Sequence, residues 1–159
     1  MSQAPTSLSG PVSVPRFVHH YEHALDPKRR VTIPSAFREQ LGEVQGLYIL
    51  PGVPEKCLYM YPPAAFEEKV SKMRAAAAQD RRIRRFVSNL GARSDFVTWD
   101  GQGRIRIKDE LLSYAGILEQ VVLVGAIEMI EVWNPKNWDD GAPLDDKSLQ
   151  EAAQYAGFF

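Results

Sequence analysis

The chain has 159 residues, 45% hydrophobic and 25% charged, a balance that is typical of a globular protein and excludes disorder throughout. No stretch approaches the roughly 18 consecutive apolar residues that a membrane-spanning helix requires, and the first residues do not form a secretory signal. We therefore expect a cytoplasmic protein with no membrane partner. The single cysteine, Cys57, excludes an internal disulfide and a cysteine-rich zinc site, and we expect it to fill apolar space in a strand.

The net charge of −1 conceals an uneven distribution along the chain. Residues 139–159 carry a balance of −4, so residues 1–138 carry +3, and the short segment 69–85 alone carries +6. The acidic C-terminal segment therefore offsets the positive charge of residues 1–138 in the total. The positive charge of residues 1–138 suits an anionic partner such as nucleic acid.

Composition and an internal repeat divide the chain into five segments. Residues 1–15 are rich in Ser and Pro and residues 139–159 are acidic, which predicts a flexible tail at each end. Between them the sequence repeats at a constant offset, at which Asp26 matches Asp100 and Gly42 matches Gly116. The repeat predicts two related modules, at 16–66 and 94–138, joined by connecting helices over 67–93.

Each copy predicts the same order of elements, β-β-α-β-β. A short strand enters a charged turn and an alternating strand leaves it, so the two are expected to pair as a hairpin with an exposed tip. In the first copy we predict strands over 17–25, 30–33, 47–50 and 57–61 and a helix over 35–41. In the second copy we predict strands over 96–99, 104–107, 121–124 and 129–133 and a helix over 109–115.

Two amphipathic helices are predicted between the copies, the second with Asp80 as its N-cap. Apolar residues recur there at helical spacing in two stripes. The stripes consist of Phe66, Val70, Met73 and Ala77, and of Ile83, Phe86, Val87 and Leu90. Arg81, Arg82, Arg84 and Arg85 lie off the second stripe, where they form a solvated face or meet DNA or a neighbouring subunit.

The first charged turn is the candidate site. Lys28, Arg29 and Arg30 lie at or near its tip, and adjacent cations there suit charge-assisted bonds to phosphate. A two-stranded ribbon also fits the DNA major groove, where arginine pairs with guanine. We assign these three residues to DNA contact, with Arg38 as a second-line phosphate contact and Arg104 as a contact from the second turn.

The aspartates of the two turns are expected to act on the loops rather than on a ligand. Asp26 precedes Arg30 by four residues, and Asp100 precedes Arg104 by the same spacing. Because aspartate repels phosphate and orders turns through its own hydrogen bonds, we expect each to bridge its arginine and structure the loop.

These residues, in their order, resemble the MraZ family, whose mark is two tandem D-x-x-x-R motifs. The resemblance spans roughly residues 16–138 and is carried by the segments 21–34, 100–107, 115–118, 121–125 and 131–133 and by Trp138. It implies an α+β fold of two tandem SpoVT-AbrB/MazE-like modules, a double-split β-barrel of swapped hairpins with an internal pseudo-two-fold axis. It also implies a ring-shaped homo-oligomer at the nucleoid that binds repeated boxes in double-stranded promoter DNA and regulates the division and cell wall gene cluster.

Two positions depart from the pattern of that family. Arg29 stands where the first motif usually has glycine, so the turn either holds Arg29 at positive φ or takes another shape. Lys108 stands where proline is expected after the second alternating strand.

Two other classes of function compete with DNA binding. The first is an antitoxin-like or scaffold module without promoter control, for which the acidic tail offers a hook; the tail is otherwise a solubiliser or a competitor for the basic loops. The second is a metalloenzyme, since His19, Tyr21 and His23 share one face of an extended strand. Because no histidine lies elsewhere and the only cysteine is distant in the sequence, we expect no metal. Because the sequence also has no G-x-S-x-G motif and no phosphate-binding glycine-rich loop, we expect no enzyme, no cofactor and no small-molecule substrate.

Overall fold

The computed structural model describes residues 14–158, so nearly all of the tail predicted over 1–15 lies outside the described residues. The strands are β1 His20–Ala24, β2 Arg30–Thr32, β3 Gly46–Pro51, β4 Leu58–Tyr61, β5 Asp95–Thr98, β6 Arg104–Arg106, β7 Gln120–Gly125 and β8 Ile130–Trp133. The helices are α1 Ser35–Leu41, α2 Pro63–Ala77, α3 Arg81–Arg93, α4 Asp109–Tyr114, α5 Pro135–Gly141 and α6 Asp146–Ala156. The α+β class and the order β-β-α-β-β in both copies are confirmed.

The strands form two antiparallel sheets that interleave the two copies. A six-stranded sheet has the order β1-β7-β8-β4-β3-β5, and a two-stranded ribbon pairs β2 with β6. The prediction that each charged turn joins two mutually paired strands is wrong: β1 pairs with β7 and β5 pairs with β3. Both arms of each turn therefore pair with the other copy, because that pairing buries the apolar faces of all four arms in one core.

The two copies exchange places in this topology. In the six-stranded sheet, β1 is equivalent to β5, β3 to β7 and β4 to β8. When each strand is replaced by its equivalent, the sheet has the same strand order in reverse. The register agrees with this exchange, since Ala24 pairs with Gln120 and the equivalent residues of the repeat, Thr98 and Gly46, also pair. In the ribbon, Val31 pairs with its own equivalent, Ile105. The internal duplication is therefore expressed as one joint domain with two-fold related strands.

One main apolar core lies between the ribbon and the inner face of the six-stranded sheet. Val31 and Ile105 point into it from the ribbon, and Ile33 and Ile107 follow them; all four are fully or almost fully buried. Phe37 of α1 packs edge-on against the rings of Phe17 and Tyr21, with centroids 5.5 Å and 5.2 Å away. The ribbon is thus fixed to the core by one face and leaves the other face outward.

The opposite, outer face of the six-stranded sheet carries helices that begin at prolines. Pro63 opens α2 and Pro135 opens α5, at the first-turn position where a missing N–H costs nothing. Cys57 is buried there with Val122 and Trp133, as expected for an apolar filler, although it lies one residue before β4. Burial raises the pKa of its thiol.

Two segments differ from their predicted form. The acidic segment 139–159 was expected to be a flexible tail, but α5 and α6 occupy most of it, because Asp145 caps α6 at Ser148 and Gly157 closes it in the left-handed conformation. The strand predicted over 17–25 is regular only from His20, since His19 has φ of 73° and Phe17 forms an isolated bridge with Ile127. Within residues 14–158, none of the helices is both long and apolar enough to cross a membrane.

Candidate nucleic-acid interface

The outer side of the β2–β6 ribbon gathers basic residues from both copies. Arg30 pairs with Arg106 and Thr32 pairs with Arg104, while the residues between them point into the core. Side chains alternate across a strand, so these three arginines share the solvent side of the ribbon. Pairing of β2 with β6 therefore joins two charged turns that belong to different copies of the repeat and lie far apart in the sequence.

The two D-x-x-x-R motifs form a single ring of charges. Asp26 Oδ2 accepts a hydrogen bond from Arg30 Nε at 2.7 Å, and Asp100 Oδ2 accepts one from Arg104 Nε at 2.9 Å. Across the ribbon, Arg30 Nη1 lies 4.0 Å from Asp100 Oδ2, and Arg104 Nη1 lies 4.0 Å from Asp26 Oδ2. The carboxylates thus offset the repulsion of arginines that face each other on neighbouring strands.

The same carboxylates close the two loops. Asp26 Oδ1 accepts from the backbone N–H groups of Lys28 and Arg30 at 2.9 Å and 2.8 Å. Asp100 Oδ1 accepts from the equivalent groups of Gln102 and Arg104 at 2.9 Å and 3.0 Å. These backbone hydrogen bonds, with those from the arginine side chains, hold the pKa of both carboxyls below its ordinary value. This geometry agrees with the loop-structuring role expected for Asp26 and Asp100.

The position at which Arg29 replaces a family glycine has the left-handed conformation. Arg29 has φ of 63°, and its equivalent in the second copy, Gly103, has φ of 77°. Each carbonyl accepts the same kind of bond from the other copy, Ile107 N–H to Arg29 O at 3.0 Å and Ile33 N–H to Gly103 O at 2.8 Å. The two loops therefore have the same shape, and Arg29 takes the first of the two options that the sequence left open.

Lys28 and Arg29 are the most accessible cations of the first loop. Both side chains are exposed, and Arg29 is only weakly tethered, with Nη1 3.3 Å from Leu118 O and Nε 3.9 Å from Asp109 Oδ1. A shallow depression is lined by four cations and two other residues, which are Lys28, Arg29, Arg30, Arg106, Pro27 and Asp109. We call the five residues Lys28, Arg29, Arg30, Arg104 and Arg106 the basic face.

Arg30 and Arg104 differ from those two loop cations because their Nε atoms are already bound to carboxylates. Their side chains are each 29% exposed, so part of each remains accessible on the basic face. Each of these two side chains is therefore predicted to contact DNA while it also holds a structural hydrogen bond to an aspartate.

Arg38 lies behind the second loop. Its Nε donates to Ile33 O at 3.2 Å, and its guanidinium lies over Gly103, where a Cβ would be only 2.8 Å from Arg38 Cζ. The absence of a side chain at Gly103 therefore makes room for Arg38. The structure places Arg38 beside the ribbon, half-buried, at the edge of the basic face.

Arg106 is the residue that the sequence reasoning missed. The alternating sequence Arg104-Ile105-Arg106-Ile107 could have identified it, because alternation in a strand puts Arg106 on the same side as Arg104. Lys108, the other departure from the family pattern, is directed away from the ribbon, because its Nζ donates to Ser94 O at 3.0 Å. Its φ of −68° is one that the expected proline would also adopt.

The histidines of the N-terminal strand do not assemble a metal centre in the described part of the chain. Between residues 14 and 158, no three His, Cys, Asp or Glu side chains come together in a way that could hold a metal ion. The His19 ring instead lies against the rings of His20 and Tyr21, with centroids 5.2 Å and 5.1 Å away.

Comparison with known proteins agrees with the internal repeat. The profile of a family described as "MraZ protein, putative antitoxin-like" matches residues 17–86 and 91–156. The two matched segments begin at equivalent positions of the two copies, and each extends into the helices after its fourth strand.

Several curated relatives carry the name Transcriptional regulator MraZ. The relative from Saccharopolyspora erythraea is 38% identical over 122 residues, which cover 77% of this chain and 83% of that protein. The relative from Clostridium tetani is 32% identical over 143 residues, 89% of this chain and 99% of that protein. Because the profile matches both copies and these relatives align over most of either length, the chain belongs to the MraZ family.

Proposed function

We propose that this protein is a sequence-specific transcriptional regulator that binds double-stranded promoter DNA with its basic face. The observation that carries the proposal is the pairing of β2 with β6, which brings two loops and five cations to one exposed surface. The regulatory role named for its MraZ relatives supports the same function. The promoter proposed is that of the division and cell wall gene cluster, and the site of action is the nucleoid.

The cations of the basic face divide into two kinds of contact. Lys28 and Arg29 are exposed and weakly tethered, so they are free to bind phosphate, which fixes position on the duplex. Arg30, Arg104 and Arg106 stand on the ribbon itself, which is narrow enough to enter the major groove, where arginine can bind guanine O6 and N7. Arg38 is a second-line phosphate contact at the edge.

Asp26 and Asp100 prepare this surface before DNA arrives. Each holds its arginine by Nε and its loop by two backbone bonds, so fewer side-chain rotamers are lost on binding. Within this proposal the strands form the double-split β-barrel of swapped hairpins expected for the family. Interleaved pairing of both arms of each turn supports that arrangement.

Specific affinity is proposed to come from a ring-shaped homo-oligomer on repeated boxes. One basic face offers few phosphate contacts, and binding through so few is weak and strongly salt-dependent. Several faces held in one ring convert later contacts into intramolecular ones and multiply the affinity for boxes at matching spacing.

The test is fluorescence anisotropy of the full chain with the DNA upstream of its own gene and with a scrambled duplex of equal length, over a salt series. Binding that favours the native duplex supports the proposal. Equal, steeply salt-dependent binding to both duplexes would reduce it to general phosphate attraction. No binding to either would favour the antitoxin-like or scaffold function instead.

Two variants locate the contact. Arg30→Ala removes a ribbon cation and the partner of Asp26, and we expect it to abolish specific binding while the oligomer remains intact. Lys136→Ala is the matched control, since it removes an exposed cation from α5 on the opposite side of the sheet. Normal binding by Arg30→Ala, or equal loss in the control, would contradict the assignment.

A further inference from the structure

We infer that helix α6 of one copy of this chain docks into an apolar groove between α2 and α3 of a second copy. The inference rests on the proposed function, whose homo-oligomer it supplies with a contact surface. The groove, the helix and their charges lead to it independently of the basic face.

The groove lies on the outer face of the six-stranded sheet, over β3 and β5. It has a volume of about 800 Å³, and its floor is formed by Tyr48 and Phe96, whose rings lie 4.8 Å apart. The two apolar stripes predicted for α2 and α3 form its walls, through Val70, Met73 and Val87 among others. No residue of either helix is buried. These helices therefore present an apolar surface that no described part of the chain covers.

Helix α6 has an apolar face that none of the described residues 14–158 buries. Leu149, Ala152, Ala153 and Ala156 recur at helical spacing, yet α6 contains no buried residue and Leu149 is 57% exposed. The side chain of Phe158, just beyond its end, is 77% exposed. Isolated helices shorter than about 12–15 residues are marginal in water, so a capped helix of 11 residues needs a packing partner.

Charge makes the groove and the helix complementary. Arg74 and Arg84 line the groove, within the segment 69–85 that carries +6. Asp146 lies beside the apolar face of α6, within residues 139–159, which carry −4. An apolar helix face in an acidic segment thus matches an apolar groove lined by guanidinium groups.

The fold directs α6 towards another copy. Helix α5, which precedes it, is anchored over β7 and β8 by Trp138 against Trp133, with ring centroids 5.8 Å apart. The groove lies over the other half of the sheet, and no residue of α5 or α6 lines it. Because the groove and α6 are different surfaces of the chain, a contact between them joins unlike surfaces of neighbouring copies. Such head-to-tail contacts repeat and produce a ring when the rotation closes.

The experiment uses two full-length variants that each destroy one half of the contact. Met73→Glu puts a carboxylate in the groove, and Leu149→Glu puts one on the apolar face of α6. Both residues are at least partly exposed, so the fold should persist, which circular dichroism and thermal unfolding would verify. Ala75→Glu on α2 and Gln154→Glu on α6 are matched controls, since neither side chain belongs to the proposed contact.

Light scattering after gel filtration measures the outcome. We expect the wild type and both controls to be oligomers, and each groove or helix variant alone to be a monomer of 17.9 kDa. Mixed together, the two variants retain one intact groove and one intact helix, so they should form a one-to-one complex of about twice that mass.

Three results would overturn the inference. They are wild-type mass for either variant alone, no complex in the mixture, and a monomeric wild type. An oligomeric wild type with unaffected variants would remove this contact but leave the proposed ring, and DNA binding is measured separately by anisotropy. If α6 docks within its own chain, the mixture remains monomeric.

Discussion

Replacing Arg29 by glycine should weaken DNA binding and leave the stability of the fold nearly unchanged. Arg29 has φ of 63°, and the left-handed region costs a residue with a side chain roughly 1–2 kcal/mol, which glycine avoids. Two losses oppose this gain. The greater conformational freedom of glycine in the unfolded chain costs up to about 1 kcal/mol of stability, and loss of the exposed contacts to Asp109 and Leu118 costs up to about 1 kcal/mol. The free energy of unfolding of Arg29→Gly should therefore remain within about 1 kcal/mol of wild type.

DNA affinity should fall in the same variant. A phosphate contact contributes about 0.9 to the slope of log affinity against log salt, which corresponds to about fivefold in affinity per loop at about 0.15 M salt. Engagement of two loops would raise the loss to about 30-fold. Anisotropy over a salt series measures both quantities, urea unfolding measures stability, and Arg29→Lys is the control that keeps the charge. Unchanged affinity with the wild-type slope would refute the assignment of Arg29, and a stability loss above about 2 kcal/mol would refute the conformational reasoning.

Three further predictions concern the scaffold of the basic face. Gly103→Ala introduces a Cβ at φ of 77° and 2.8 Å from Arg38 Cζ, so it should lower stability in urea unfolding by about 1–2 kcal/mol, whereas Gly101→Ala, where a Cβ meets nothing within 4 Å, should change it little. Phe37→Ala empties a buried site between two aromatic rings and should cost about 3–5 kcal/mol, seen as a fall of about 10 °C in Tm. The pKa values of Asp26 and Asp100 lie below the ordinary 3.8, so the stability they contribute is present above about pH 4 and is lost as pH falls through the folded pKa. In thermal unfolding from about pH 6 to about pH 2, Asp26→Asn should therefore be less stable than wild type near neutrality and converge with it in acid; a constant difference would contradict this.

Local patterns predicted the elements well but not their partners. Alternation in Arg104-Ile105-Arg106-Ile107 and the glycines after both short helices gave the order β-β-α-β-β. A strand pattern states which face is buried, however, and does not state against which strand. Local patterns therefore did not predict which strands pair between the copies, nor the position of Arg106 beside Arg30.

The acidic end shows how composition can hide local structure. Its aspartates and its Gly-Ala-Pro break at 141–143 suggested a flexible tail, although Asp145 and Gly157 are good start and stop signals for a helix. The roles of Asp26 and Asp100 could be predicted from the sequence, because a carboxylate four residues before an arginine in a turn has few other partners. Arg29 could be placed at positive φ only because the structure shows its loop matching that of Gly103.

Hydrogen–deuterium exchange of the full chain, with and without the duplex upstream of its own gene, tests DNA binding by the basic face most directly. We predict protection of the loop and ribbon amides over 26–32 and 100–106 when the duplex binds, and no protection over 135–141 on the opposite side of the sheet. Protection of α5 with exchange in both loops unchanged would contradict the account.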